Sequence, residues 1–184
     1  MRIIAGSARS LPLKTISGIE TRPTTDRIKE TLFNMLNSKI PGCKFLDLFA
    51  GSGQIGLEAI SRGAQAAVFV ENNKKAALCI EENIHFTKFS EKCTLLVKDV
   101  ISAIHWLEGK ETFDIIFMDP PYGKKQEKEV LQNLVDSSLI TKDSLLVIEM
   151  AKDTDISYIE ELGYTIIKEK IYKNNQHIFL QCMK

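Results

Sequence analysis

Two short stretches carry residue types whose spacing could do chemistry. The first is Asp119-Pro120-Pro121-Tyr122, directly after the apolar run Phe113–Met118. Consecutive prolines stiffen the turn and remove its N–H donors. The Pro120 carbonyl then stands beside the Asp119 carboxylate as a second acceptor. Two acceptors with no donor between them suit an –NH2 group. Held by both protons, a planar amino group localises its lone pair on nitrogen and becomes a nucleophile. Tyr122 offers a ring on which a planar base stacks, worth about 1–3 kcal/mol. On this reading the ring matters and the hydroxyl does not.

The second stretch is Gly51-Ser52-Gly53-Gln54-Ile55-Gly56, which follows the apolar run Lys44–Phe49 and opens a helical pattern. Glycines let a backbone approach a ligand closely, and a helix N-terminus presents free N–H groups. Glu71 ends the next apolar run, where a carboxylate accepts both hydroxyls of a ribose. A nucleotide-type ligand is expected. Asp47, four residues before Gly51, is unhelpful to a pyrophosphate but suits a ligand carrying an ammonium group. It tips the reading from a dinucleotide to S-adenosylmethionine. Asp99 ends the third apolar run and could accept from an adenine amino group; for Asp47 and Asp99 alike, taken singly, capping a helix or turn is an equal alternative.

The elements that must position these residues alternate. Strands are expected at Lys44–Phe49, Ala66–Val70, Thr94–Lys98, Phe113–Met118 and Leu145–Ile148. Helices are expected at Gln54–Arg62, Asn73–Phe86, through Ile101, Ile104 and Leu107, and at Glu127–Val135. Nearly continuous apolar strands separated by helices predict an α/β fold, a doubly wound and mostly parallel sheet covered on both faces. Such sheets bind ligands at the carboxyl edge where strand order reverses, so both motifs should face one crevice. Thr165–Tyr172 and His177–Cys182 read as a closing antiparallel hairpin.

Residues 1–40 follow another pattern. Arg2 to about Lys14 reads as short strands or a hairpin. A helix should open at Arg22–Asp26, capped by Thr24 or Thr25, and run to about Lys39 with Ile28, Leu32, Met35 and Leu36 as its apolar stripe. We expect one domain over residues 1–184, with 1–40 as an extension. That extension holds Arg2, Arg9, Lys14, Arg22, Arg27, Lys29 and Lys39 against Glu20, Asp26 and Glu30, a net +4 in a chain of net charge zero. Arg9, Arg22 and Arg27 are therefore candidate phosphate contacts. Lys124, Lys125 and Lys128 are either further contacts or a solvated helix start. Trp106 is expected in the core.

Composition narrows the class. At 184 residues, 44% hydrophobic and 26% charged, the chain has the material for a globular core. No apolar run reaches the roughly 18–20 residues of a membrane span, and the start lacks a signal peptide, so a cytoplasmic protein is expected. Cys43, Cys79, Cys93 and Cys182 form no Cys-x-x-Cys pair and do not cluster with the histidines, so no metal site is expected. None lies in a loop after the first or fourth strand, which argues against the cysteine-dependent methylation of pyrimidine carbon 5.

Asp47-Leu48-Phe49-Ala50-Gly51-Ser52-Gly53 and Asp119-Pro120-Pro121-Tyr122 resemble the S-adenosylmethionine-dependent amino-methyltransferases. That class methylates adenine N6, cytosine N4, guanine N2 and protein glutamine. Met1–Gly6, Arg22–Asn34 and Gly56–Ala64 are similar to the RsmD family, over essentially the whole chain. The resemblance implies methylation of N2 of one guanine in 16S ribosomal RNA, a class I methyltransferase sheet in the order 3-2-1-4-5-7-6, and S-adenosylmethionine as cofactor. It implies Asp47, Phe49, Gly51, Ser52, Gly53, Glu71, Asn72, Asp99 and Val100 as cofactor-binding residues. Asp119, Pro120, Pro121 and Tyr122 become catalytic, and Arg9, Arg22, Thr24, Thr25 and Arg27 RNA-binding. A monomer acting on a partly assembled small subunit is expected. A glutamine or adenine-N6 methyltransferase, and more remotely an NAD-binding oxidoreductase, are the alternatives.

Overall fold

The structure is a computed structural model, and it describes residues 1–16 and 25–183. In chain order the elements are α1 (Asp26–Leu36), β1 (Lys44–Asp47), α2 (Gln54–Ser61), β2 (Ala66–Val70), α3 (Lys74–Thr87), β3 (Cys93–Leu96) and α4 (Val100–Leu107). Then come β4 (Ile115–Met118), α5 (Gln126–Leu134), β5 (Leu145–Ala151), α6 (Tyr158–Glu161), β6 (Tyr164–Ile171) and β7 (Asn175–Cys182).

The seven strands form one sheet in the order β3-β2-β1-β4-β5-β7-β6. The first five in that order run parallel, and β7 is antiparallel to both β5 and β6. Period-two alternation sends successive side chains to opposite faces. Phe45, Phe69, Ile115, Phe117 and Val147 pack with Leu32, Phe33 and Leu36 of α1 and Leu57 and Ile60 of α2. Their neighbours Leu46, Val68, Ile116, Met118 and Leu146 pack with Ile104 and Leu107 of α4 and Leu131 and Leu134 of α5. The expected order and two-sided core are both present.

Thr25 caps α1, its side chain accepting from the Ile28 amide at 3.4 Å. Arg22 and Thr24 lie outside the described residues. The helix ends at Leu36, a turn earlier than expected. The expected N-terminal hairpin is present in minimal form: Arg2 and Pro12 form an antiparallel β-bridge, Ile3 donates to the Leu11 carbonyl at 3.0 Å, Ser10 to the Ile3 carbonyl at 2.9 Å and Leu13 to the Met1 carbonyl at 3.0 Å. It belongs to a strap, residues 1–16, whose remaining amides find partners on the helices. Ile4 and Ala5 donate to the Glu58 carboxylate of α2 at 2.8 and 3.0 Å, and Ala8 donates to the Ser61 hydroxyl at 3.0 Å.

Glu58 is the hub of this contact. It also meets Arg62 at 2.7 Å and Lys29 of α1 at 3.3 Å, with Lys29 and Glu58 fully buried. Lys29 further donates to the Arg2 carbonyl. Burial lowers the Lys29 pKa and the Glu58 carboxylate offsets part of that fall. At Gly6, with φ +85°, a Cβ would sit 1.8 Å from the Ser61 carbonyl oxygen, so only glycine fits where strap meets helix. The strap's far end is pinned by the buried Asn83 of α3, which accepts from the Lys14 amide at 2.8 Å and donates to the Ser52 carbonyl at 2.9 Å. Among the described residues no helix is long and apolar enough to cross a membrane.

Candidate active site

A cavity of about 530 Å³ opens at the carboxyl edge of β1, β2 and β4. The glycine turn forms one wall. Gly51 and Gly53 take φ values of +55° and +77°, which set the backbone ahead of α2. Gly56 serves packing: a Cβ there would lie 2.3 Å from the Phe69 ring. Of the expected cofactor-binding residues, Asp47, Phe49, Gly51, Ser52, Glu71, Asn72, Asp99 and Val100 line the cavity, while Gly53 shapes the turn behind it.

Asp47 ends β1 between Phe69 and Phe117 of the neighbouring strands and is only 1% exposed. Among the described residues neither of its oxygens has a partner at hydrogen-bond geometry. Burial pushes its pKa up to about 7; the Gly56 amide counters this, the Glu71 charge adds to it, and the Phe49 amide counters it slightly. Such a carboxylate is poised for a cation. Glu71 is held by two amides, accepting from Gly51 at 2.9 Å and from Asn73 at 2.8 Å. It therefore ties the glycine turn to the start of α3 as well as facing the cavity. Asp99 caps α4, accepting from the Ser102 amide at 2.9 Å, and these bonds lower its pKa. The capping alternative is realised, and one oxygen holds the cap.

Asp119 and Pro121 line the same cavity, so the two motifs do share one crevice. Burial, then the charges of Glu149 and Asp47, hold the Asp119 carboxyl well above the usual carboxylate range. Tyr122 is half-exposed, but its hydroxyl donates to Glu149 Oε1 at 3.4 Å. The expectation that only its ring matters is thus incomplete. Lys124 reaches the cavity wall, Lys125 caps α5 at φ 52°, and Lys128 sits 5.0 Å over the Tyr158 ring. Arg9, Thr25 and Arg27 are exposed and away from the cavity. Trp106 is not core: it is exposed on α4 with the Lys110 ammonium 3.7 Å over its ring.

Four contributors escaped the sequence reading. Gln54, on the first turn of α2, presents a buried Oε1 without a partner to the cavity. Met1 and Ile16 of the strap also line it, and the Ser52 hydroxyl lies 3.4 Å from the Met1 sulfur. Glu149, on β5, sits behind the Asp119–Tyr122 turn. The Asx and glycine spacings that mark a turn have no counterpart at these positions. Among the described residues no group of three His, Cys, Asp or Glu side chains could hold a metal ion. The four cysteines are free thiols, and burial pushes Cys43 and Cys93 up to about 12.

Against known proteins, residues 1–181 match the family model described as conserved hypothetical protein 95. Ribosomal RNA small subunit methyltransferase D of Haemophilus influenzae is 33% identical over 171 residues, covering 92% of this chain and 88% of that protein. Its Escherichia coli namesake is 32% identical over 174 residues, covering 93% and 84%. The solved structure of the Escherichia coli protein yhhF superposes with a TM-score of 0.84 at 28% identity, over 99% of this chain and 97% of that one. Sequence, fold and a cavity shared by both motifs agree: the chain belongs to this family and is an RsmD-family methyltransferase.

Proposed function

We propose that the protein transfers a methyl group from S-adenosylmethionine to the exocyclic N2 amino group of a guanine in 16S ribosomal RNA. The observation that carries this reading is the opening of Asp47 and Asp119 onto one cavity. S-adenosylmethionine is a cation with an ammonium and a sulfonium, and it fits a buried carboxylate that has no cationic partner of its own. Asp47 and the Gly51 turn receive its amino-acid end, Glu71 its ribose hydroxyls, and Asp99 with Val100 its base. Bound there, the cofactor supplies the electrophilic methyl group.

Asp119 accepts one proton of the guanine amino group and the Pro120 carbonyl accepts the other. The two hold the nitrogen lone pair toward the methyl carbon. On transfer from a bound cofactor the C–N bond would form as the C–S bond breaks with its electron pair left on sulfur, and Asp119 or water would take the proton that the methylated nitrogen releases. Most of the acceleration comes from alignment and from fixed acceptors where positive charge develops. Tyr122 stacks on the base. Arg9, Arg22, Thr24, Thr25 and Arg27 are the residues we assign to RNA contact, of which Arg22 and Thr24 lie outside the described residues. The balance of 24 basic and 24 acidic residues favours RNA already coated by ribosomal protein over naked RNA.

Single-turnover transfer of labelled methyl to naked 16S RNA and to partly assembled small subunits tests the proposal, with mass spectrometry of the product nucleoside. N2-methylguanosine is expected, formed faster on subunits. Asp119→Ala should slow the transfer roughly 10²–10³-fold with cofactor affinity little changed. Label in protein glutamine or adenine N6, or wild-type transfer by Asp119→Ala, would overturn it.

A further inference from the structure

Glu149 gathers hydrogen bonds from three side chains on two segments at the back of the catalytic turn. The residue is 5% exposed, near the end of β5. Its Oε1 accepts from the Asn175 side-chain amide at 2.5 Å and from the Tyr122 hydroxyl at 3.4 Å. Its Oε2 lies 2.9 Å from His177 Nε2. The His177 ring is fully buried, with the edges of Phe117 and Tyr172 against it at centroid distances of 6.3 and 5.1 Å. Its Nδ1 lies 3.3 Å from the Tyr172 hydroxyl. One proton arrangement satisfies the whole chain: Tyr172 donates to Nδ1 and Nε2–H donates to Glu149.

Three donors of this cluster, from Tyr122, Asn175 and His177, point at Glu149 and none of them at Asp119. A buried carboxylate receiving three donors is anchored, and it anchors them in turn. Tyr122 is the member that belongs to the catalytic turn, three residues beyond Asp119. A half-exposed tyrosine whose hydroxyl is tied inward keeps its ring in one orientation.

We infer that Glu149 is a positioning residue for methyl transfer, holding the Tyr122 hydroxyl and through it the turn that presents Asp119. The inference rests on the methyl transfer proposed above. His177, Asn175 and Tyr172 are its brace. A second consequence follows from charge. The charged and titratable groups around Asp119 are Asp47 from β1, Glu149 from β5, Tyr122 in the turn, and Lys124 and Glu129 at the cavity wall. After burial, the Glu149 charge is the largest influence holding the Asp119 carboxyl high. Removing that charge lets Asp119 ionise at lower pH.

The experiment compares wild type, Tyr122→Phe, Glu149→Gln and the double variant by single-turnover methyl transfer across pH, with cofactor affinity measured by titration. Each single variant should slow transfer roughly three- to tenfold, the scale of one long hydrogen bond to a charged acceptor. The double variant should be no slower than the slower single one, and cofactor affinity should stay within about twofold. Glu149→Gln, and not Tyr122→Phe, should move the acid limb of the rate profile to lower pH. Additive losses with unmoved pH limbs, or full activity of Tyr122→Phe, overturn the inference while leaving wild-type transfer in place. Should Glu149→Gln fail to fold, Tyr122→Phe alone decides, since it removes only the hydroxyl. Absence of transfer by the wild type sinks the proposed function and this inference together.

Discussion

Replacing Asp47 by asparagine should remove a pH dependence from the stability of the cofactor-free protein, by an amount the structure sets. In the unfolded chain this carboxyl titrates near 3.8, and in the fold burial moves it to about 7. Between those values the folded protein keeps a proton that the unfolded chain has released. The folded state therefore binds more protons, and stability falls as pH rises from about 4 through about 7. A displacement of that size corresponds to ~4 kcal/mol as an upper bound, at 1.36 kcal/mol per pH unit. Relaxation around a buried charge reduces it, so a change of ~2–4 kcal/mol is expected. Asparagine carries no titrating group, and its constant cost of a buried amide cancels when two pH values are compared. The assay is urea unfolding of both proteins at pH 4, 6 and 8. The stability difference between variant and wild type should grow by ~2–4 kcal/mol in favour of asparagine from pH 4 to pH 8. Parallel stability curves would refute the reasoning. Saturating S-adenosylmethionine should flatten the wild-type slope, because a cation beside Asp47 favours its ionised form. An unchanged slope would show that the ligand's charge does not meet this residue.

Other outcomes can be checked with equal economy. Glu71→Ala should weaken cofactor binding about 10- to 100-fold by calorimetric titration, since it removes both a charged acceptor and the tie between Gly51 and Asn73; unchanged affinity would withdraw Glu71 from the site. Glu58→Ala leaves Lys29 buried without its carboxylate and should cost about 3–5 kcal/mol in urea unfolding. A loss under about 1 kcal/mol would mean that water replaces the pair. Arg9→Ala with Arg27→Ala should lower the salt slope of RNA binding by about one unit per residue and leave cofactor affinity alone, as neither side chain reaches the cavity. An unchanged slope would mark both as solvated charges.

The two faces of the sheet and the crevice shared by the two motifs were legible in the residue pattern, whereas the full strand order came from the family resemblance. The pattern signal is local: β2 is a five-residue apolar run, and α3 starts at its cap, Asn73. What escaped detection depends on groups distant in the chain. Glu58 reads as an ordinary helical acid until the strap brings the Ile4 and Ala5 amides, 54 and 53 residues away, to its oxygens. Glu149 reads as the ragged end of an apolar strand until β7 brings His177, 28 residues later, to its side. The helix α6 has only four residues, too few to generate a period.

The position of β7 sets an order of assembly. It lies between β5 and β6, yet it follows both in the chain, so β6 has no place on the sheet until β7 exists. During synthesis the cofactor-facing half, from β1 through β4 with its local crossovers, can form while the rest of the chain is still being made. Asn175 and His177 both arrive on that last-placed strand. A partly synthesised chain could then close its glycine turn while Glu149 still lacks two of its three donors. Such a chain would bind the methyl donor before its reacting turn was braced. Completion of the sheet and completion of the reacting end thus become one event, timed by the final strand.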